Sequence, residues 1–225
     1  MMGYSAPPNV PLGARPWLAT PVSTALHLSH GRWWSAPHLE LVSAKIAAMP
    51  SRPIRLIVTL PPRHGKSELC SHWTPVWFLA NFPDKRVILS SYEATFATTW
   101  GRKVRNTIDE NAEALGIRLS GDSSAAAGWN IRDHAGGMLT TGVGGPLSGY
   151  GAHLLLIDDP IKNQDEARSH ITGLMNRFSH LDEESNSLGD SHLQQFARLA
   201  LDERHPLSSL VLHVIEVVDA PALVG

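Results

Sequence analysis

Thr59-Leu60-Pro61-Pro62-Arg63-His64-Gly65-Lys66-Ser67-Glu68 is the stretch on which the reading of this chain turns. The apolar run that leads into it, Ile54 to Leu60, predicts a buried strand. Beyond it, Leu69, Trp73, Val76, Trp77, Leu79 and Ala80 carry the spacing of a helix. Strand, tight loop, Gly-Lys-Ser and helix form an arrangement that grips a nucleoside triphosphate. Backbone N–H groups of the loop and the positive helix end face the phosphates, Lys66 reaches the β/γ oxygens, and the Ser67 hydroxyl ligates Mg²⁺. The commoner pattern has a glycine ahead of the Gly-Lys pair. Pro61-Pro62-Arg63 fills that region here, so the loop is a variant. The competing reading is a surface turn before a helix.

A second motif weighs against that alternative: His153-Leu154-Leu155-Leu156-Ile157-Asp158-Asp159-Pro160. Four aliphatic residues ended by two carboxylates predict a parallel strand buried on both faces. Carboxylates at such a strand end lie where ligands collect in an open α/β sheet. Asp158 is placed to hold Mg²⁺ through water, and Asp159 to orient or deprotonate an attacking water. Taken alone, the motif also fits a strand that stops in a solvated acidic turn. Loop and acidic strand together predict an ATPase or GTPase core.

The chain has 225 residues, 43% hydrophobic and 18% charged, with a formal net charge of −2. These values suit one globular domain with an appendage, and nothing in the overall charge demands nucleic acid. A single cysteine, Cys70, excludes a disulfide framework and fits a reducing compartment. No apolar run reaches the ~18 residues of a membrane span, and the N-terminus has no basic-then-apolar signal. A soluble, cytoplasmic protein without a membrane partner is expected. The twelve histidines show no metal-ligand spacing.

Residues 1 to about 28 are rich in Pro, Gly, Ala and Ser and read as an extended arm, anchored by Trp17. A helix is predicted from Pro37 to Met49, with Leu39, Val42, Ile46 and Met49 on one face. Trp33 and Trp34 before it either stack on an adenine or pack. Arg86–Ser91 predicts a second strand, and Tyr92–Ile108 a helix whose apolar stripe is Phe96, Trp100, Val104 and Ile108. Its other face carries Arg102, Lys103 and Arg105. Residues 52–106 hold nine basic and three acidic side chains, which either track a nucleic-acid backbone or form a solvated face. Residues 110–127 read as a surface excursion, and 129–131 and 137–141 as short strands. Gly142 to Gly151 holds five glycines in ten residues, a loop suited to changing shape beside bound nucleotide.

In that order, the variant loop, Ser90-Ser91-Tyr92, Gly101-Arg102-Lys103-Val104-Arg105, the glycine-rich loop and Leu155-Leu156-Ile157-Asp158-Asp159-Pro160-Ile161-Lys162 resemble the ATPase half of a tailed-phage terminase large subunit. That protein is the motor that drives DNA into a preformed capsid. The resemblance covers about residues 35–168. It implies an α/β fold of the additional-strand P-loop NTPase class, with a mainly parallel sheet sandwiched by helices. The organisation implied is an N-terminal arm (1–34), an ATPase core (35–170) and a divergent tail (171–225). ATP and Mg²⁺ are the implied cofactors. Pro62, Arg63, His64, Gly65, Lys66, Ser67 and Glu68 would bind the nucleotide, Ser67 and Asp158 the metal. Lys66, Arg63, Asp158 and Asp159 would be catalytic, with Arg63 the loop arginine near the γ-phosphate. Implied partners are double-stranded DNA, a small terminase subunit, a portal protein and further copies of the chain in a ring, in the cytoplasm of a bacterial host.

Two departures from the family pattern qualify this. Where the family often places an arginine for the neighbouring subunit's nucleotide, this chain has Tyr150, so Arg132, Arg102 or Arg105 serves instead or the subunit is impaired. Past Arg168 the family's Trp-rich helix and coupling strand are not recognisable. Ile171 to Gly225 offers Asp182-Glu183-Glu184, a helical stretch Leu193–Leu201 and an apolar run Leu210–Val218, and a nuclease domain needs about 100 residues more. A truncated prophage gene is the expectation, with a split terminase as the other possibility. The alternatives to a working motor are a non-catalytic remnant that binds ATP without moving DNA, and another P-loop DNA-dependent ATPase.

Overall fold

A computed structural model of the chain describes residues 15–48, 55–121, 125–142, 151–159 and 211–216. The apolar runs form strands and the segments with helical spacing form helices, giving a mixed α/β architecture. In chain order the elements are α1 (Pro21–Leu28), α2 (Pro37–Ala47), β1 (Arg55–Leu60), a π-helical segment (Glu68–Trp73) and α3 (Thr74–Asn81). Then follow β2 (Arg86–Ser91), α4 (Ala94–Glu110), the short α5 (Ala112–Leu115), β3 (Gly128–Asn130), β4 (Gly137–Gly142), β5 (Leu154–Asp158) and β6 (Val211–Glu216).

The six strands form one sheet in the order β1-β6-β5-β2-β4-β3. β2 pairs in parallel with β4 and β5, while β6 runs antiparallel to both β1 and β5. Strands β1, β5, β2 and β4 therefore point the same way, and β6 and β3 oppose them. Crossover connections joining parallel strands leave their C-terminal ends along one edge, which is where the loop after β1 and the carboxylates of β5 emerge. β6 sits between them in register: Val58 pairs with His213, which pairs on its other side with Asp158. Among the described residues β1 is an edge strand.

Val58, Val87, Leu89, Met138, Leu154 and Leu156 share one cluster with Trp77, Phe78, Leu79, Val104 and Ile108 of α3 and α4. β2 is buried from Val87 through Ser91, as the apolar run Val87-Ile88-Leu89 requires of a strand covered on both faces, and Ser90 and Ser91 are buried with it. In α4 the buried stripe is Ala97, Gly101, Val104 and Ile108, and Phe96 is exposed. Residues four apart drift by about 40° per step on a 3.6-residue turn, so the predicted stripe runs off the core towards the N-terminus. Gly101 allows α4 to lie against β4. A Cβ there would stand 2.6 Å from Thr140 Cγ2 and 3.0 Å from the Ala126 carbonyl.

The extended arm predicted for residues 1–34 is corrected for its described part. Pro16 and Pro21 each open a helical turn, where a missing N–H costs nothing. Thr20 and Ser23 form a reciprocal capping box at the start of α1. Leu18, Val22, Ala25 and Leu28 are buried, and Trp77 Nε1–H donates to the Leu18 carbonyl at 2.8 Å. Arg15 donates to the Ala114 and Leu115 carbonyls and so closes the end of α5. The segment 15–28 thus packs into the core through Leu18, Val22, Ala25 and Leu28. Residues 110–127 are likewise not a plain surface excursion, since Leu115 and Ile117 are buried. The apolar run Leu210–Val218 supplies β6, whereas Met49, Ile54, residues 143–150, Pro160 and residues 161–210 lie outside the described residues. Among the described residues no helix is long and apolar enough to cross a membrane.

Candidate functional site

The loop from Pro61 to Gly65 turns tightly because its residues fix its backbone. Pro61 and Pro62 hold φ near the value a turn entry needs. Arg63 and Gly65 take φ of +65° and +81°. The latter suits glycine alone, and a Cβ at 65 would also stand 2.9 Å from Leu39 Cδ1. Arg63 is in a conformation that costs a non-glycine residue ~1–3 kcal/mol, a form of strain that concentrates at ligand clamps. Two hydrogen bonds hold the loop: His38 Nε2–H donates to the His64 carbonyl at 3.0 Å, and His64 Nδ1–H to the Pro62 carbonyl at 2.9 Å. Pro61 through His64 are exposed, and helical backbone begins at Lys66.

Lys66 is 6% exposed, and its Nζ has no hydrogen-bond partner among the described residues. Burial lowers its pKa to about 8, against the opposing pull of Asp158 and Asp159. A buried ammonium without an acceptor is costly, so this amine calls for an anion. Across from it, Asp158 is 1% exposed. Ser67 Oγ donates to its Oδ1 at 3.4 Å, and Ser71 Oγ to its Oδ2 at 2.8 Å. The loop and the acidic strand, 91 residues apart at Ser67 and Asp158, therefore meet at one place. Asp159 takes φ of +47°, and burial together with the Asp158 charge raises its pKa, partly offset by Lys66. A raised carboxylate beside a buried carboxylate is the pattern of a proton acceptor.

Glu68 turns away from this group. It accepts from His72 Nδ1 at 3.3 Å and from Lys103 Nζ, and the His72 hydrogen bond leads in holding its carboxyl down at about 2. Burial lowers the His72 pKa. Neutral His72 satisfies both neighbours, with Nδ1–H donating to Glu68 and Nε2 accepting from Thr107 Oγ1 at 2.8 Å. Glu68 thus ties the loop helix to α4, and Lys103 of the basic face is committed to it. Arg102 on that face is exposed. Arg132 lines a cavity of about 390 Å³ with Asp109, Glu113 and Arg118, none of them in the Lys66–Asp158 group. Trp33 packs against the core, whereas Trp34 is 77% exposed. Cys70 is buried among apolar groups, which push its thiol up to about 12.

Sequence reasoning missed Ser71, and Ser91 as a member of the site. Ser91 ends β2 in register with Asp158; it is fully buried and its Oγ has no partner among the described residues. The signal for Ser71 is its spacing: residues four apart on a helix share a face, so Ser71 follows Ser67.

No group of three or more His, Cys, Asp or Glu suited to a metal ion occurs among the described residues. Mg²⁺ is typically held by one or two carboxylates or hydroxyls, with waters and substrate phosphates completing its shell, so Ser67 and Asp158 suffice for it. An unpartnered buried ammonium beside a hydroxyl–carboxylate pair fits a magnesium-bound polyphosphate. The molecule so defined is a mixed α/β protein with an anion-seeking lysine at the C-terminal edge of its sheet. Comparison with protein-family models, with curated proteins and with solved structures gave no match.

Proposed function

We propose that this chain is a P-loop ATPase of the additional-strand class, and that it serves as the motor domain of a phage terminase large subunit. The meeting of Ser67 with Asp158, with the buried, unpartnered Lys66 beside them, carries the proposal. Lys66 binds the β/γ-phosphate oxygens and neutralises charge that builds as the terminal phosphoryl group departs. Loop N–H groups and the helix start at Lys66 orient the phosphates, and exposed Arg63 reaches the γ-phosphate. Mg²⁺, held by Ser67 and Asp158, would supply Lewis-acid stabilisation of the phosphate oxygens. Asp159, with its raised pKa, accepts the proton of the attacking water.

The terminase assignment rests on the order of motifs between residues 35 and 168. DNA is the proposed second ligand, met by the arginines of the α4 face. The small terminase subunit, the portal and a ring of copies are proposed partners. The test is ATP hydrolysis by the purified protein with and without double-stranded DNA. Wild type is expected to turn over with Mg²⁺ and to speed up with DNA, and Lys66→Ala to lose at least ~100-fold, the scale of removing one transition-state charge contact. Turnover that survives Lys66→Ala refutes the site. Binding of ATP without hydrolysis would favour a remnant that retains the nucleotide fold, the reading suggested by Tyr150 standing where an arginine is expected.

A further inference from the structure

We infer that Ser71 is a positioning residue for the metal-side carboxylate, and that the π-helical segment exists to aim it. This rests on the nucleotide-binding reading above and goes beyond it, since Ser71 lies outside the Gly-Lys-Ser motif. Ser71 is fully buried, and its hydroxyl donates to Asp158 Oδ2 at 2.8 Å. Ser67, one helical turn earlier, holds the other oxygen, Oδ1, at the longer distance of 3.4 Å. The shorter bond is thus made by the residue with no expected contact to a ligand. The carboxylate is gripped on Oδ2 by Ser71, which leaves Oδ1 directed to Ser67. Removing a group that orients a metal ligand in this way typically costs about 10–100-fold in metal affinity.

The local sequence explains why the helix widens here. Pro75 has no N–H to offer the preceding turn, and in a regular α-helix its ring would clash with the carbonyl of Ser71. The chain adopts a π-helical turn over Glu68–Trp73, closed at its end by Thr74, whose N–H and Oγ1–H both donate to the Leu69 carbonyl, the latter at 2.9 Å. Single π-helical turns within α-helices are frequently found at functional sites. Here the widened turn carries Ser71 against Asp158 while His72 bonds Glu68 one turn back and reaches across to Thr107 of α4.

The experiment is a Mg²⁺ titration of fluorescent ATP-analogue binding to the full chain, followed by anisotropy, alongside a thermal melt without nucleotide. For Ser71→Ala the expected result is a 10–100-fold higher Mg²⁺ requirement for tight analogue binding. Binding in EDTA, which depends on Lys66 and the loop, should change less than threefold. Ser71→Thr, which keeps the hydroxyl, should recover most of the Mg²⁺ affinity, and Ser71→Cys, similar in size but a weak donor, should not. A purely structural serine would lower the melting temperature of all three variants and leave the Mg²⁺ requirement of the folded fraction at the wild-type value; that result overturns the inference. Failure of the wild type itself to bind the analogue would count against the nucleotide reading instead, which keeps the two failures distinct.

Discussion

Lys66 concentrates the energetics of the site in one side chain. Its ammonium is nearly enclosed, and burial outweighs the attraction of two aspartates, so it titrates near 8 rather than 10.5. The folded state binds this proton less tightly than the unfolded chain. The cost of burying the charge is therefore fully present below pH 8 and fades as pH rises from 8 towards 10.5. Without nucleotide, Lys66→Met should raise stability at pH 7 by on the order of 1 kcal/mol, a figure discounted for partial solvent screening. In a thermal melt this is a gain of about 2–4 °C that shrinks above pH 8. An equal gain at pH 7 and pH 10.5 would show that charge burial is not its source. Asp158 and Asp159 were legible from the sequence because they end an apolar run where an α/β sheet exposes ligand sites, and Lys66 because Gly-Lys-Ser follows such a run through a short loop. Ser91 was not, since a serine at a strand end carries no mark of what it faces, and Ser71 was marked only by standing four residues after Ser67.

Among the elements, the stretches with simple hydrophobic punctuation were legible: β2 runs from Arg86 to Ser91 as its sequence predicts, and α2 starts at Pro37. Failures occurred where a local rule was overridden. Prolines in residues 15–28 suggested an arm, but Pro16 and Pro21 stand at helix starts, and the Thr20–Ser23 pair was the missed signal. The helix after the loop was expected to be regular, and Pro75 was the sign that it is not. α4 shows packing overruling propensity. Gly101 lies inside a 17-residue helix, where alanine would gain ~0.5–1 kcal/mol. The contacts a Cβ would make with Thr140 and the Ala126 carbonyl argue for an overpacking cost of ~1–3 kcal/mol. Gly101→Ala should therefore destabilise the protein by about 1 kcal/mol, seen as a lower urea midpoint at unchanged slope. A higher midpoint would mean that α4 does not bear on β4 as described.

For the whole molecule, the decisive feature is the strand least expected from the sequence. β6 comes from the tail, yet it lies between the strand that carries the loop and the strand that carries the carboxylates. β1 has no other strand partner among the described residues. The apolar run 210–218 was visible in the sequence, but its place in the sheet was not, because pairing with β1 and β5 joins residues more than 150 and more than 50 positions apart in the chain, respectively. A chain ending at Leu210 would lose both ladders that hold β1 in the sheet. The loss should exceed ~4 kcal/mol and lower the melting temperature by more than ~8 °C, with nucleotide binding lost as well. An unchanged melt and unchanged binding would show that the tail strand has no part in the fold.

Every step of the functional account requires that Lys66 and Asp158 close on one magnesium-bound triphosphate. Isothermal titration of ATP into the full chain with Mg²⁺, beside Lys66→Ala and Asp158→Asn, measures this most directly. Saturable binding at one site per chain is expected for the wild type, weakened at least ~100-fold in Lys66→Ala and stripped of its Mg²⁺ dependence in Asp158→Asn. Equal affinities in all three proteins, or no heat in any of them, would contradict it.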